Sequence, residues 1–159
     1  MVMLLEQQYR DARQAETVAR LQRGLSLRAM QVTGSTQRQI ADALGVSQPA
    51  VSKQLDSAIS PTSVSPEVLL EAAAPILRAI AQARGFTKLA VFGSIARRRS
   101  RSNSDVDLLV DPPKGTTIND LVELRDTFAE ILERPVDLVT YNSLKPGIDD
   151  DVRRDAILL

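Results

Sequence analysis

The segments LAVFGSIAR (Leu89–Arg97) and DVDLLV (Asp105–Val110) decide the fold of this chain. In the first, an apolar run that ends in Gly-Ser and continues with helix formers predicts a strand, a tight turn and a short helix. Such a turn exposes backbone N–H groups, which attract phosphate oxygens. In the second, side chains alternate along a strand, so Asp105 and Asp107 share one face. The opposite, core-facing side carries Val106, Leu108 and Val110.

Two carboxylates on one face repel each other, and a divalent cation relieves that repulsion. Asp137 follows in a third apolar run, between Val136 and Leu138, so it also projects away from its apolar neighbours. Taken alone, Asp137 fits a solvent-exposed acid on a strand better than a metal ligand, and Gly-Ser alone is only a turn. Their joint occurrence with Asp-x-Asp favours a nucleotide site with Asp105, Asp107 and Asp137 as metal ligands.

Composition limits the chemistry that this site can perform. The 159 residues include neither cysteine nor histidine, which excludes disulfides, thiolate metal sites and the usual general base. Oxygen ligands favour magnesium, manganese or calcium. The net charge of zero does not by itself indicate a polyanionic partner. Because no apolar run approaches the length of a membrane span and the N-terminus lacks the pattern of a secretory leader, we expect a cytoplasmic protein.

Residues 59–66 are rich in Ser, Thr and Pro and predict a linker. The linker separates a helical domain over residues 1–58 from a second domain over residues 67–159. Upstream, a helix is predicted to end at Gly24; downstream, Ser65 and Pro66 suit the start of a helix that Pro75 would kink. The expected elements that follow are strands over 88–92, 105–111 and 135–140 and helices over 119–132 and 149–159.

The segment Thr36–Leu55 has the spacing of a helix-turn-helix. Ala41 is small where two helices would cross, Gly45 permits a tight turn, and Ser47 can cap the second helix. The expected shared core is Ile40, Leu44, Val46, Val51 and Leu55. The residues expected to face DNA are Gln48, Ala50, Ser52, Lys53 and Gln54, because a recognition helix reads the major groove with its N-terminal residues. A pair of helices that merely packs satisfies the same pattern.

Residues 89–159 resemble the minimal nucleotidyltransferases of the MNT type, within the polymerase-beta-like superfamily. The resemblance lies in Gly93-Ser94, Ala96-Arg97, Ser104-Asp105-Val106-Asp107 and the segment Val136–Thr140. It implies an α+β fold in which an all-α helix-turn-helix domain is joined to a small mixed-sheet palm with flanking helices. It also implies that Asp105 and Asp107 hold magnesium, with Asp137 as third ligand or base, while Gly93 and Ser94 bind the triphosphate of ATP.

Two further positions belong to the predicted nucleotide site, Arg97 as an additional phosphate contact and Ser104 beside the aspartates. Arg98 departs from the family pattern, which usually has glycine there. It begins a basic run with Arg99 and Arg101. This run suits either a solvated loop or contact with an acidic surface of a partner.

Proteins of the MNT type resemble antitoxins that adenylylate HEPN-type toxins, so the expected function is AMP transfer to a hydroxyl of a partner toxin. The helix-turn-helix would bind operator DNA for autoregulation, in a homodimer or a complex with the toxin. One alternative is a repressor that neutralises its partner by contact, with a non-catalytic palm. A small-molecule nucleotidyltransferase is disfavoured because a palm of this size leaves little room for an acceptor domain.

Overall fold

The computed structural model describes all residues, Met1–Leu159. Seven α-helices, two short 3-10 helices (Pro61–Ser63 and Tyr141–Ser143) and four short strands follow one another along the chain. The helices are α1 Val2–Val32, α2 Gln37–Leu44, α3 Gln48–Asp56, α4 Pro66–Ala83, α5 Gly93–Ala96, α6 Ile118–Leu132 and α7 Asp150–Asp155. The strands are β1 Thr87–Phe92, β2 Val106–Asp111, β3 Val136–Thr140 and β4 Ile157–Leu158. None of the helices combines the length and apolarity needed to cross a membrane.

The four strands form one mixed sheet in the order β3-β2-β1-β4. The β1–β2 and β1–β4 pairs are antiparallel, whereas β2 and β3 are parallel. The parallel pair follows from α6, which carries the chain back across the sheet and buries Leu124 and Phe128 against it. The predicted α+β class with a mixed sheet is confirmed.

The C-terminal tail differs from its prediction. A helix was expected over residues 149–159, but α7 ends at Asp155 and Ile157–Leu158 form β4. Ile157 pairs with Val91 and Leu158 with Ala90. The free edge of β1 supplies these backbone hydrogen bonds, and a local sequence pattern contains no information about that edge.

Helix α1 continues past the position where the sequence predicts its end. Gly24 does not terminate it, since α1 runs to Val32. A Cβ at Gly24 would lie 3.0 Å from the Cβ of Ala58, so this glycine permits close packing of α1 on the segment that follows α3. Leu21 and Leu25 belong to the same core as the sheet. The division into domains at residues 59–66 stays a prediction, and α1 packs across it.

The helix α4 begins as predicted. The Ser65 side chain accepts a hydrogen bond from the Val68 backbone at 3.3 Å, and Pro66 is the first helical residue. The helix passes through Pro75 without ending. It buries Leu69, Leu77 and Ala73 among others and forms the layer between α1 and the sheet.

The helices α2 and α3 form the predicted pair around a small core. Thr36 caps α2 with a capping box, Gly45 has a φ of 68°, and the Ser47 side chain accepts from Ala50 N at 3.2 Å. The buried cluster consists of Leu27, Ile40, Ala41 and Val51, with Leu55 partly buried.

Two of the five residues predicted for this core are exposed. Leu44 is 48% exposed and Val46 40% exposed, so their assignment to the core is wrong. The third helix of this unit is α1, and its Leu27 packs with Ile40 and Val51. No element of the chain covers the turn itself.

Candidate functional site

The turn after β1 is built around Gly93. Its φ of 71° is a conformation that L-residues rarely adopt. A Cβ at this position would lie 2.2 Å from Oδ2 of Asp107. The Asp107 carboxylate therefore occupies the space that any other residue at position 93 would fill. The helix α5 that follows is a single turn, so its macrodipole is small and its backbone N–H groups are the main attraction for phosphate.

Strand register brings the acidic residues to this turn. Asp107 pairs with Phe92 across the β1–β2 ladder and with Asp137 across the β2–β3 ladder. Val106 and Leu108 are buried on either side of it, as the alternation predicts. Asp105 lies one residue before β2 and is exposed. The sheet therefore sets Asp107 and Asp137 side by side, whereas Asp105 lies on the incoming loop.

The three carboxylates interact electrostatically. Burial raises the pKa of Asp107 above its ordinary value of 3.8, and the charges of Asp137 and Asp105 raise it further, while Arg97 opposes them. A carboxylate whose charge is disfavoured in this way is stabilised by a cation.

The donor set at this position consists only of oxygen atoms, which fits a hard cation such as Mg²⁺. The Asp107 carboxylate also lies directly against the glycine turn where phosphate oxygens would approach. Nevertheless, no group of three or more acidic side chains is placed so as to hold a metal ion. The oxygen donors are therefore of the kind that such a cation prefers, but the three aspartates are not arranged to hold one together in this structure.

Arg97 lies near the aspartates but has a partner of its own. Its Nη1 is 3.6 Å from Oδ2 of Asp155 in α7, and Arg154 Nε lies 3.3 Å from Oδ1 of the same residue. Sequence reasoning missed Asp155, because an acid in a charged C-terminal helix gives no local signal of a contact with α5.

Ser94 and Ser104 lie in different elements and make different hydrogen bonds. Ser94 is half-buried in α5, and its carbonyl accepts from Arg99 N at 2.8 Å. The Ser104 hydroxyl oxygen accepts from Arg101 N at 2.6 Å and so closes the turn before β2. Arg98, at φ 54°, Arg99 and Arg101 are exposed and form no ion pair within the chain.

A buried arginine supports the loop that leads to Asp105. Arg134 is 6% exposed, and it donates from Nη1 to the carbonyl of Ser102 and from Nη2 to the carbonyl of Val64 at 3.0 Å. Its Nε is buried without a partner. Arg134 connects the start of β3 to the loop that precedes Asp105 and to the predicted linker. Sequence reasoning missed it, since an arginine before a strand usually lies in solvent.

The predicted DNA-facing residues lie on or beside the exposed surface of α3. Gln48 and Lys53 are exposed, while Ala50, Ser52 and Gln54 are half-buried. Gln48 Nε2 donates to Oε1 of Gln37 at 2.6 Å, which links the first residues of α3 and α2. Gln54 instead lines a small cavity with Arg20 and Arg23 of α1. None of the five residues is buried, and their assignment to a DNA-facing surface stays a prediction.

Comparison with known proteins agrees with this geometry. The family described as "Polymerase beta, Nucleotidyltransferase" matches residues 76–159. Protein adenylyltransferase MntA of Thermococcus cleftensis is 37% identical over 73 residues, which cover 46% of this chain and 74% of that protein. A candidate protein adenylyltransferase of Methanocaldococcus jannaschii is 37% identical over 73 residues, 46% of this chain and 78% of that protein.

A solved structure of a candidate minimal nucleotidyltransferase superposes with a TM-score of 0.54 at 33% identity. It covers 58% of this chain and 95% of that chain. The matched family region begins within α4 and contains the whole sheet, the Gly93 turn and the three aspartates. Together with the convergence of Asp107 and Asp137 at that turn, these similarities establish that the chain belongs to the polymerase beta nucleotidyltransferase family and has a nucleotidyltransferase function.

Proposed function

We propose that this chain is an antitoxin that transfers AMP from ATP to a hydroxyl of a partner toxin of the HEPN type. The observation that carries the proposal is the position of the Asp107 carboxylate, which fills the Cβ space of Gly93 and lies beside Asp137 in register. This arrangement places two carboxylates beside the backbone N–H groups of the turn. The names of the two relatives, both protein adenylyltransferases, support a protein as the acceptor.

In this proposal Asp105, Asp107 and Asp137 hold Mg²⁺ or Mn²⁺. The bound ion supplies charge compensation for the phosphates of ATP. The backbone at Gly93 and Ser94 binds the triphosphate, and Arg97 and Ser104 contact it from the two flanking turns. The protein performs little covalent chemistry of its own in such a transfer. It acts by positioning the reactants and by stabilising their charges.

The reaction itself exchanges one P–O bond for another. The acceptor oxygen forms a bond to the α-phosphorus, the bond from that phosphorus to the bridging oxygen of pyrophosphate breaks, and pyrophosphate leaves with the bonding electrons. Asp137 accepts the hydroxyl proton, because it lies next to Asp107 at the edge of the site and is exposed to an approaching acceptor.

The direct test incubates the purified chain with ATP, Mg²⁺ and the protein encoded by the adjacent gene. The expected result is a mass increase of one AMP on that protein, which is lost in the Asp105→Asn, Asp107→Asn double variant. Asp111→Asn is the matched control, since Asp111 lies at the far end of β2 and contacts Lys88 at 3.9 Å. Absence of AMP with the wild-type chain, or its persistence in the double variant, contradicts the proposal.

The second part of the proposal is binding of operator DNA by α2 and α3, which would let the chain regulate its own synthesis. Gln48, Ala50, Ser52, Lys53 and Gln54 would face the major groove. The capped helices, the Gly45 turn and the Gln37–Gln48 hydrogen bond hold the start of α3 in a fixed orientation, which is the end of a recognition helix that reads bases.

One observation favours an alternative, a repressor and antitoxin that neutralises its partner by contact with a non-catalytic palm. The carboxylates are not gathered into a metal-holding group, and Arg97 is paired with Asp155. The Asp105→Ala, Asp107→Ala variant separates the two functions. Neutralisation of the toxin that survives this substitution establishes contact without chemistry, whereas its loss with retained binding establishes transfer.

A further inference from the structure

The small cavity between α1 and the end of α3 is lined by two arginines. Arg20 and Arg23 of α1 surround it together with Gln54 and Ser57. No acidic residue lines this space, the α1–α3 cleft. It therefore brings positive charge and polar side chains to the flank of the helix that is proposed to read DNA.

The charges of the two arginines are not neutralised within the chain. Arg20 and Arg23 are exposed, are three residues apart on one face of α1, and form no ion pair. Glu16 lies one turn before Arg20 but does not pair with it, and Asp56 lines a different cleft with Arg28. An anion between the two guanidinium groups would relieve their repulsion and accept hydrogen bonds from both.

The α1–α3 cleft lies on the side of α3 that faces away from α2. Gln48 and Ser57 are about two and a half turns apart at 3.6 residues per turn, so they lie on opposite sides of α3. The Gln48 side chain donates to Gln37 of α2 at 2.6 Å, whereas Ser57 lines the cleft. The outward arc of α3 between these two sides holds Ser52 and Lys53.

The dimensions of DNA give this position a meaning. The major groove is about 12 Å wide and is bounded by two phosphate backbones, and a helix with its side chains is about 10–12 Å across. A helix that fills the groove therefore has one backbone along each flank. With the outward arc of α3 in the groove, the α1–α3 cleft faces one backbone. The exposed Arg38, next to Gln37 at the start of α2, lies towards the other.

We propose that Arg20 and Arg23 bind a phosphate group of the DNA backbone in the α1–α3 cleft. This inference rests on the proposed operator binding by α2 and α3. The Gln54 amide supplies a further donor to the same phosphate. Contacts of this kind set the position of a recognition helix along the groove without reading sequence. A chain of zero net charge depends on such local contacts for its affinity.

The test compares the full wild-type chain with the Arg20→Ala, Arg23→Ala variant by fluorescence anisotropy. The probes are the DNA upstream of the gene and an unrelated duplex of the same length. The variant is expected to bind both about tenfold more weakly, and its slope of log affinity against log salt concentration should fall by about one. Arg20→Lys with Arg23→Lys keeps the charge and should lose only about threefold. Both variants should keep the wild-type Tm, because the two side chains are exposed.

Arg99→Ala with Arg101→Ala is the matched control. It removes the same charge from two exposed, unpaired arginines outside the helical unit. Its DNA affinity should stay within about twofold of wild type, because salt screens distant charges. An equal loss in this control overturns the proposal, since net charge alone would then set the affinity.

The remaining outcomes separate this proposal from the proposed function. A wild-type chain that binds neither duplex overturns operator binding and this inference together. Wild-type binding with unchanged affinity and slope in the Arg20→Ala, Arg23→Ala variant overturns the phosphate site alone.

Two further measurements identify a different occupant of the α1–α3 cleft. Inorganic phosphate at matched ionic strength should not raise the Tm of the wild-type chain. A rise that is lost in the Arg20→Ala, Arg23→Ala variant, with unchanged DNA affinity, assigns the cleft to a free anion and overturns the proposal. Unchanged DNA affinity with lost binding of the protein encoded by the adjacent gene assigns the cleft to an acidic protein surface and also overturns it.

Discussion

The Gly93 turn and the Gly45 turn use the same backbone conformation for different purposes. Their φ angles are 71° and 68°. At Gly45 a Cβ would meet no atom within 4 Å, whereas at Gly93 it would meet the carboxylate of Asp107. Gly45 is required only for the backbone turn between α2 and α3. Gly93 also leaves space for the Asp107 side chain, which the pairing of β1 with β2 places beside it.

The largest expected effect comes from alanine at these two glycines. Gly45→Ala should lower the free energy of unfolding by about 1 kcal/mol, the cost of backbone strain alone. Gly93→Ala should lower it by about 2–3 kcal/mol, because the Cβ also displaces Asp107. The same displacement should reduce nucleotide transfer by at least about 100-fold. Urea unfolding and a transfer assay measure both quantities. Equal losses of stability at the two sites would contradict the comparison.

Substitutions in α3 should affect DNA binding without affecting transfer. Gln48→Ala should weaken binding to the DNA upstream of the gene by about tenfold, the contribution of one base contact. Lys53→Ala should weaken binding to all DNA sequences alike. It should also reduce the slope of log affinity against log salt concentration by about one. Fluorescence anisotropy at several salt concentrations distinguishes the two. Asp105→Asn is the control, and a change in DNA affinity in that variant would show that the two regions are coupled.

Arg134 joins the predicted linker to the loop that precedes Asp105, since it donates hydrogen bonds to the carbonyls of Val64 and Ser102. Arg134→Met removes a buried charge together with its hydrogen bonds. The free energy of unfolding should fall by about 2 kcal/mol, because two carbonyls lose a charged donor and removal of the buried charge offsets only part of that loss. Transfer should fall by about tenfold, because the loop that carries Asp105 is released. A large loss of stability with unchanged transfer per folded molecule would assign Arg134 a purely structural role.

The smallest expected effect is the pH dependence of Asp107. Its pKa in the folded chain is raised above 3.8, so the folded state holds the proton more tightly than the unfolded state. The resulting stabilisation is complete below pH 3.8 and is lost as the pH rises through the folded-state pKa. Asp107→Asn should therefore raise the Tm at pH 7 by about 1–2 °C, since solvent screens much of the charge.

Asp107→Asn should leave the Tm unchanged at a pH well below 3.8. At that pH the wild-type Asp107 side chain is protonated and, like asparagine, carries no charge. Mg²⁺ at neutral pH should raise the Tm of the wild-type chain more than that of Asp107→Asn, because only the former keeps the full set of carboxylates. Calorimetry at the two pH values, with and without Mg²⁺, measures these differences. An Asp107→Asn variant that is less stable at pH 7 would contradict the electrostatic account.

The comparison also shows which parts of the site could be predicted. The alternation around Asp107 and the Gly-Ser turn were readable because their spacing reflects strand geometry. Likewise, Gly45 and Ser47 were readable because a cap or a tight turn depends on hydrogen bonds within a few residues. Arg134 and Asp155 were not readable, since their partners lie in other elements and any exposed charge would fit the same local pattern.

The sequence by itself determined the kinds of residue available for chemistry, the two glycine turns, the helix caps and the alternation that separates acidic from apolar faces. Only the tertiary structure decided that α1 continues through Gly24 into the core of the sheet, that the tail adds β4 to the edge of β1, and that Leu44 and Val46 remain exposed. The physical reason is the range of the forces concerned. Caps and turns act over a few residues, whereas burial and strand pairing depend on surfaces that other parts of the chain supply.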